Sequence, residues 1–239
     1  HVAGLASGGG IAVVGGGLTG LEAATELAEA RSDLRVALFT GADLGGRLSP
    51  RAQRHLRRSL DRLRVTVHPD TSVTEVRPDA VVDGAGRAYA ADAVIWAAGF
   101  RAPALASEAG FATDEHGRMT VDGTLRSASH PEVYAVGDAA AGHAVDAAVT
   151  RMSCQAAMPM GRQVADVIAA RLEGREPRPV RVRYAFTNIS LGRRDGIVQF
   201  TRADDSPRAP VLTGRTAAAF KEAVVRGTVL AVRGTGRGW

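Results

Sequence analysis

The stretch Ile11-Ala12-Val13-Val14-Gly15-Gly16-Gly17-Leu18-Thr19-Gly20 constrains the fold of this chain more than any other. Four apolar residues run into Gly15-x-Gly17-x-x-Gly20, and a helix-forming segment, 18–30, follows without a gap. Strand, glycine turn and helix in that order make the first half of a βαβ unit, and the glycine spacing is that of a dinucleotide-binding fingerprint. Gly15 permits the tight turn, Gly17 lets a pyrophosphate approach the backbone, and Gly20 lets helix and strand pack closely. The free N–H groups and the positive dipole end of the helix then face the phosphates. A glycine-rich turn kept for packing alone is the alternative.

A chain of 239 residues can bury a substantial core, in one large domain or two small ones. No run approaches the roughly 18 to 20 apolar residues that span a bilayer, and no signal-peptide pattern opens the sequence, so a soluble, cytoplasmic protein is expected. The single Cys154 excludes an intrachain disulfide and a Cys-x-x-Cys redox pair. Any electrons must therefore travel through a cofactor, and Cys154 itself reads as a small buried hydrophobe. The net charge is +5, carried almost wholly by arginine, with Lys221 the only lysine. Scattered basic residues, few aromatics and no recognition motif speak against nucleic-acid binding. Arg51, Arg54, Arg57, Arg58, Arg62 and Arg64 read as the solvated face of a helix. The absence of Gly-x-Ser-x-Gly, His-Glu-x-x-His and any cysteine cluster removes serine hydrolase and zinc-site readings, so no metal site is expected.

The fold expected is α/β. Residues 1–10 form a flexible lead. A Rossmann-like domain covers 11–97, with strands at 11–14, 34–39, 65–68 and 93–96, helices at 18–30 and 50–63, and a β-meander of 73–76, 80–82 and 87–89 turning at 83–86. Residues 98–173 hold an apolar strand, 133–136, and a long helix, 146–172, interrupted near Pro159. A small C-terminal α+β region, 174–239, is expected to carry an antiparallel sheet of 180–184, 189–191 and 197–200, then a helix over 216–232.

Five segments are similar to those of the two-dinucleotide-binding-domain flavoproteins of the pyridine nucleotide-disulfide oxidoreductase superfamily. They most closely resemble its type II NADH dehydrogenase-like branch. Gly15 to Glu22 resembles that family's NAD(P)H-binding turn. Trp96-Ala97-Ala98-Gly99-Phe100 resembles its connecting motif, and Val133-Tyr134-Ala135-Val136-Gly137-Asp138-Ala139 its second flavin motif. Met158-Pro159-Met160-Gly161 and Ser190-Leu191-Gly192-Arg193 occupy the places of the helix under the isoalloxazine and of the C-terminal interface sheet. The resemblance implies that Gly15, Gly17, Leu18, Thr19 and Gly20 hold a pyrophosphate and that Glu22 approaches the nicotinamide. It further implies that Ala98, Gly99 and Phe100 line the same groove, and that Gly137 and Asp138 face the ribityl chain of FAD. For Glu22 a solvated helix residue, and for Asp138 a helix N-cap, are the structural alternatives.

The family's first fingerprint, which binds the ADP half of FAD, has no counterpart in this sequence. A strand at 133–136 then lacks its usual neighbour, which an upstream lobe, a second subunit in a homodimer, or rearrangement onto the first sheet would supply. Thr40 stands where NAD-binding proteins place an acid for the ribose hydroxyls. Arg47 beyond it would meet a 2′-phosphate and favour NADP, or else is a solvent-facing loop residue. His143 is a candidate for proton transfer near a flavin, and Gln155 lies beside Cys154 near the family's quinone-side residues. The function expected is an NAD(P)H-dependent, FAD-linked oxidoreductase passing electrons to a quinone-like acceptor, in truncated or partner-requiring form. The alternative is a repurposed flavin-free scaffold that binds a metabolite or performs a cyclisation or isomerisation. A third reading lays Phe220, Val224, Leu230 and Trp239, with Lys221, Arg226, Arg233 and Arg237, on an anionic membrane surface.

Overall fold

The computed structural model describes residues 2–144 and 148–234. In chain order the elements are β1 (Gly10–Val14), α1 (Leu18–Ala30), β2 (Arg35–Phe39), α2 (Pro50–Arg62), β3 (Thr66–His68), β4 (Val73–Val76), β5 (Ala80–Asp83), β6 (Ala88–Ala90) and β7 (Ala93–Trp96). There follow α3 (Leu105–Glu108), α4 (Cys154–Leu172), β8 (Phe186–Ser190), β9 (Gly196–Thr201), β10 (Pro207–Thr213) and α5 (Arg215–Gly234). Two compact units result. The first takes the described residues of His1–Gly99, Phe186–Phe200 and Pro207–Trp239, and the second those of Phe100–Ala185 and Thr201–Ser206.

In the first unit a parallel sheet runs in the order β3-β2-β1-β7. All five positions of β1 are buried, as a central strand covered on both faces requires, which is why its sequence is an unbroken apolar run rather than an alternation. Val14 stands opposite Phe39 on one side and Trp96 on the other, so three strands finish level at one edge. That edge is where open α/β sheets bind ligands. Leu21, Ala24 and Ala28 bring α1 onto the sheet, and Leu56 and Leu60 bring α2. The six arginines of 51–64 are all exposed, as their spacing suggests. Ser49 caps α2, its Oγ accepting from Ala52 N–H at 3.4 Å.

The meander β4-β5-β6 closes on Asp83, whose Oδ1 accepts from the N–H groups of Ala85 and Arg87 at 2.9 Å each and whose Oδ2 accepts from Tyr89 at 3.1 Å. The third sheet runs β10-β9-β8, and Ile189, Leu191, Ile197 and Val211 join the same core as β1, α1 and α2. Gln199 is fully buried there, its Oε1 accepting from Ser49 N–H at 2.9 Å and its Nε2 donating to Arg208 O at 2.7 Å.

The second unit packs around Met119, Val121, Leu125, Met160, Val164, Val182 and Tyr184. Its sequence-based expectations need correction. Residues 133–136 form no strand: Tyr134 makes one antiparallel bridge with Arg126, flanked by Ser127 N–H to Val133 O and Ala135 N–H to Leu125 O. A local loop thus takes up the backbone groups that the apolar run leaves open. The helix begins at Cys154 rather than residue 146, and Asp146 lies outside the described residues. It continues through Pro159, which lies in its second turn and withholds one i→i−4 hydrogen bond, and Met160, Val164 and Val167 remain buried beyond it. Residues 180–184 are not a strand, since Val182 makes a single bridge with Ala144. The sheet's third member is β10 instead, hidden in the sequence by Pro207 and Pro210, which are admissible only on an edge strand.

Candidate functional site

The turn after β1 is built by exclusion of side chains. At Gly15, with φ +121°, a Cβ would lie 2.4 Å from Ala97 O, so β7 and the turn meet backbone to backbone. At Gly16 it would lie 2.3 Å from Thr40 Oγ1, and at Gly20 only 1.8 Å from Gly15 O. Gly17 differs from all three: nothing stands within 4 Å of its Cβ position. It is the N-cap of α1, extended at φ −72° and ψ 179°, with no side-chain cap and no acid in the first turn. Helix geometry leaves the N–H groups of Leu18, Thr19 and Gly20 without intrahelical acceptors. The packing demands on Gly15, Gly16 and Gly20 are thus met by the fold itself, whereas the openness at Gly17 serves no contact of the protein.

That opening belongs to a cavity of about 620 Å³ at the level end of the sheet. Gly15, Gly17, Thr40, Arg47 and Ala98, separated widely in sequence, line it together. Thr40 is buried at 3 % exposure, and its hydroxyl donates to Ala42 O at 2.7 Å, so it serves the loop after β2. Phe39, one of the lining residues, stacks on His68 with centroids 4.5 Å apart, and Tyr89 meets both rings edge-on. Burial, and then the charge of Arg87, push the His68 pKa below the ordinary imidazole value.

Three further polar side chains line the cavity without being marked in the sequence: Asp43 in the loop after β2, and Thr71 and Ser72 in the loop after β3. The available signal was topological, since loops leaving the carboxyl ends of neighbouring parallel strands face the same crevice. Asp43 is the only carboxylate among the lining residues and Arg47 the only cation.

The remaining residues lie elsewhere. Glu22 does not line the cavity; its carboxylate accepts from Ser190 N–H at 3.0 Å and pairs with Lys221 of α5. Gly99 follows Ala98 with φ +100° and open space around its Cβ position. Phe100, 60 % exposed, belongs to the second unit. There Gly137, at φ +63°, opens a single 3-10 turn that leaves Asp138 exposed, while its Cβ position falls 3.0 Å from Ala157 on α4. His143 is exposed, bridging to Val149. Cys154 is exposed too, which corrects the expectation of a buried hydrophobe: it is the first residue of α4 and precedes the turn that buries Ala156. Gln155 accepts from Arg151 at 3.1 Å.

Residues 5–161 match the family model described as pyridine nucleotide-disulphide oxidoreductase. The chain belongs to that family. Among curated relatives, an NADH dehydrogenase-like protein of Mycobacterium tuberculosis is 35 % identical over 196 residues, covering 76 % of this chain and 48 % of the relative. A type II NADH:quinone oxidoreductase of Haemophilus influenzae is 29 % identical over the same length, covering 76 % and 44 %. The chain therefore spans about half the length of the curated family members it matches. Among solved structures, NDH2 of Plasmodium falciparum in complex with NADH superposes with a TM-score of 0.73 at 13 % identity, covering 90 % of this chain and 61 % of that one. The fold is thus that of the family's flavoprotein oxidoreductases. Among the described residues no helix is long and apolar enough to cross a membrane.

Proposed function

We propose that the glycine-turn cavity binds the NAD(P)H of an NADH dehydrogenase-like flavoenzyme. The observation that carries this reading is Gly17, the one fingerprint glycine whose missing side chain leaves space for a ligand rather than for protein. In this reading the backbone N–H groups of Gly17, Leu18, Thr19 and Gly20 receive the pyrophosphate at the positive end of α1. Asp43, with Thr71 and Ser72, receives the adenosine end, and Ala98 and Gly99 border the path toward the nicotinamide. Glu22, tied to Lys221, steadies α1 against α5.

The residues present fit part of an FAD. Asp138, exposed on its turn, is available to accept from a ribityl hydroxyl. A second glycine turn for the adenosine half is absent from the sequence, so flavin binding in this reading calls on an additional lobe or a partner subunit. The chemistry supplied with both cofactors bound is hydride transfer from nicotinamide to flavin and onward delivery of electrons to a quinone-like acceptor.

Titration of the purified protein with NADH and NADPH, followed by thermal shift and by nicotinamide fluorescence, tests the binding step. Saturable stabilisation by at least one nucleotide is expected. A folded protein indifferent to both would overturn the reading and leave the flavin-free scaffold. An absorbance spectrum tests flavin separately, through yellow colour in the protein as purified or after supply of FAD.

A further inference from the structure

A second cavity of the first unit, about 470 Å³, lies against α1, the turn between β8 and β9, and the first turns of α5. Four cations line it, Arg193, Arg194, Arg215 and Lys221, against two carboxylates, Glu26 and Glu222. Both acids are already engaged: Glu26 pairs with Arg193 at 3.1 Å, and Glu222 with Arg226 of its own helix at 2.7 Å. Lys221 is committed to Glu22. Among the described residues Arg194 and Arg215 have no carboxylate partner.

Two features make this more than a chance gathering of surface charge. Arg215 opens α5, a helix of 20 residues with no acid in its first turn, so a guanidinium stands at the positive end of a helix dipole. Like charges are there unrelieved, and an anion would relieve both. The turn carrying Arg193 and Arg194 is also fixed in place. Gly192 sits at φ +91° with the Glu29 carboxylate 2.8 Å from its Cβ position, and the same carboxylate accepts from Arg193 N–H. The two arginines are therefore presented from a backbone that is already ordered, which lowers the cost of gathering them around a ligand.

We propose that this cleft is a binding site for a phosphate dianion, free or as the phosphomonoester of a small soluble metabolite, with Arg194 and Arg215 as its principal ligands. The planar forks of two arginines match a phosphate better than a point charge would, and the volume admits a metabolite-sized molecule. The site is separate from the glycine-turn cavity and does not depend on what binds there.

Inorganic phosphate is the probe, titrated against the whole chain at constant ionic strength with chloride as the balancing anion, and read by thermal shift and calorimetry. A saturable stabilisation absent in chloride is expected. Both arginines are exposed and Arg215 faces the positive end of α5, so Arg194→Gln with Arg215→Gln should melt in chloride no lower than the unaltered protein does, and should bind phosphate at least about tenfold more weakly. Because the N-terminus of α1 could also hold phosphate, Gly17→Ala serves as the control and should retain the response. Absence of a phosphate response in the unaltered protein, an unchanged response in the double variant, or loss of the response in Gly17→Ala alone would each overturn the proposal.

Discussion

Replacing Gly17 by alanine separates folding from ligand binding at the glycine turn. Its φ and ψ of −72° and 179° suit any residue, and its Cβ would meet nothing within 4 Å. A smaller unfolded ensemble then favours the variant by about 0.4–1 kcal/mol. Alanine is a poorer N-cap than glycine by up to about 1 kcal/mol, which offsets that gain. The net change should stay within about 1 kcal/mol, or about 2–4 °C in Tm for a chain of this size. Binding should respond differently, because the new methyl occupies the space through which a pyrophosphate reaches the amides of α1. Losing one charge-assisted hydrogen bond costs about 1.5–3 kcal/mol, hence about a tenfold to hundredfold rise in the Kd for NAD(P)H. Gly20→Ala is the counterpart, since its Cβ would fall 1.8 Å from Gly15 O and must push α1 off β1. It should lose about 1–3 kcal/mol of stability whether or not nucleotide is present. Thermal melts paired with fluorescence titrations distinguish the two variants. A folded Gly17→Ala protein that binds NAD(P)H as tightly as the original would refute the placement of the pyrophosphate.

The backbone N–H of Arg87, then the Arg87 guanidinium, Tyr89 and Ala85 N–H, outweigh burial and hold the Asp83 carboxyl down to about 2. Because this folded value is depressed, its stabilising contribution is complete above the ordinary carboxylate range and fades as pH falls from about 4 toward 2. Asp83→Asn should flatten that part of an acid-unfolding curve followed by circular dichroism, and an unchanged curve would contradict it. Burial raises the pKa of Asp195, but hydrogen bonds from Ser59 and His55, each 2.7 Å, prevail and keep it ionised. Asp195→Asn should cost about 1–3 kcal/mol at neutral pH, measured by urea unfolding. Asp43→Asn should remove repulsion toward a 2′-phosphate and raise affinity for NADPH relative to NADH about tenfold, an effect of about 1.4 kcal/mol. Equal ratios before and after would exclude Asp43 from the adenosine end.

The parts of the fold legible in the sequence are those governed by local rules. β1 and α1 follow from an apolar run, three glycines and a helical segment, and the meander follows from alternation around residues 83–86. The failures arise where distant segments decide. Residues 133–136 look like a buried strand, yet a neighbouring loop takes their hydrogen bonds. β10 carries two prolines and little periodicity, and becomes a strand because β9 offers it an edge. The candidate cavity was half legible for the same reason. Its glycines are marked by their spacing, whereas Asp43, Thr71 and Ser72 belong to loops whose sequences have no period. Glu22 has the identity the family motif asks for, but its partner lies 199 residues away.

Lys221 is the only lysine in 239 residues, and its amine is spent on Glu22. The protein therefore holds a single side-chain amine for amine-selective acylating reagents, placed at the joint between the fingerprint helix and the C-terminal helix. Its rate of acylation, read by peptide mass, would report at one known atom how often α5 lifts away from α1.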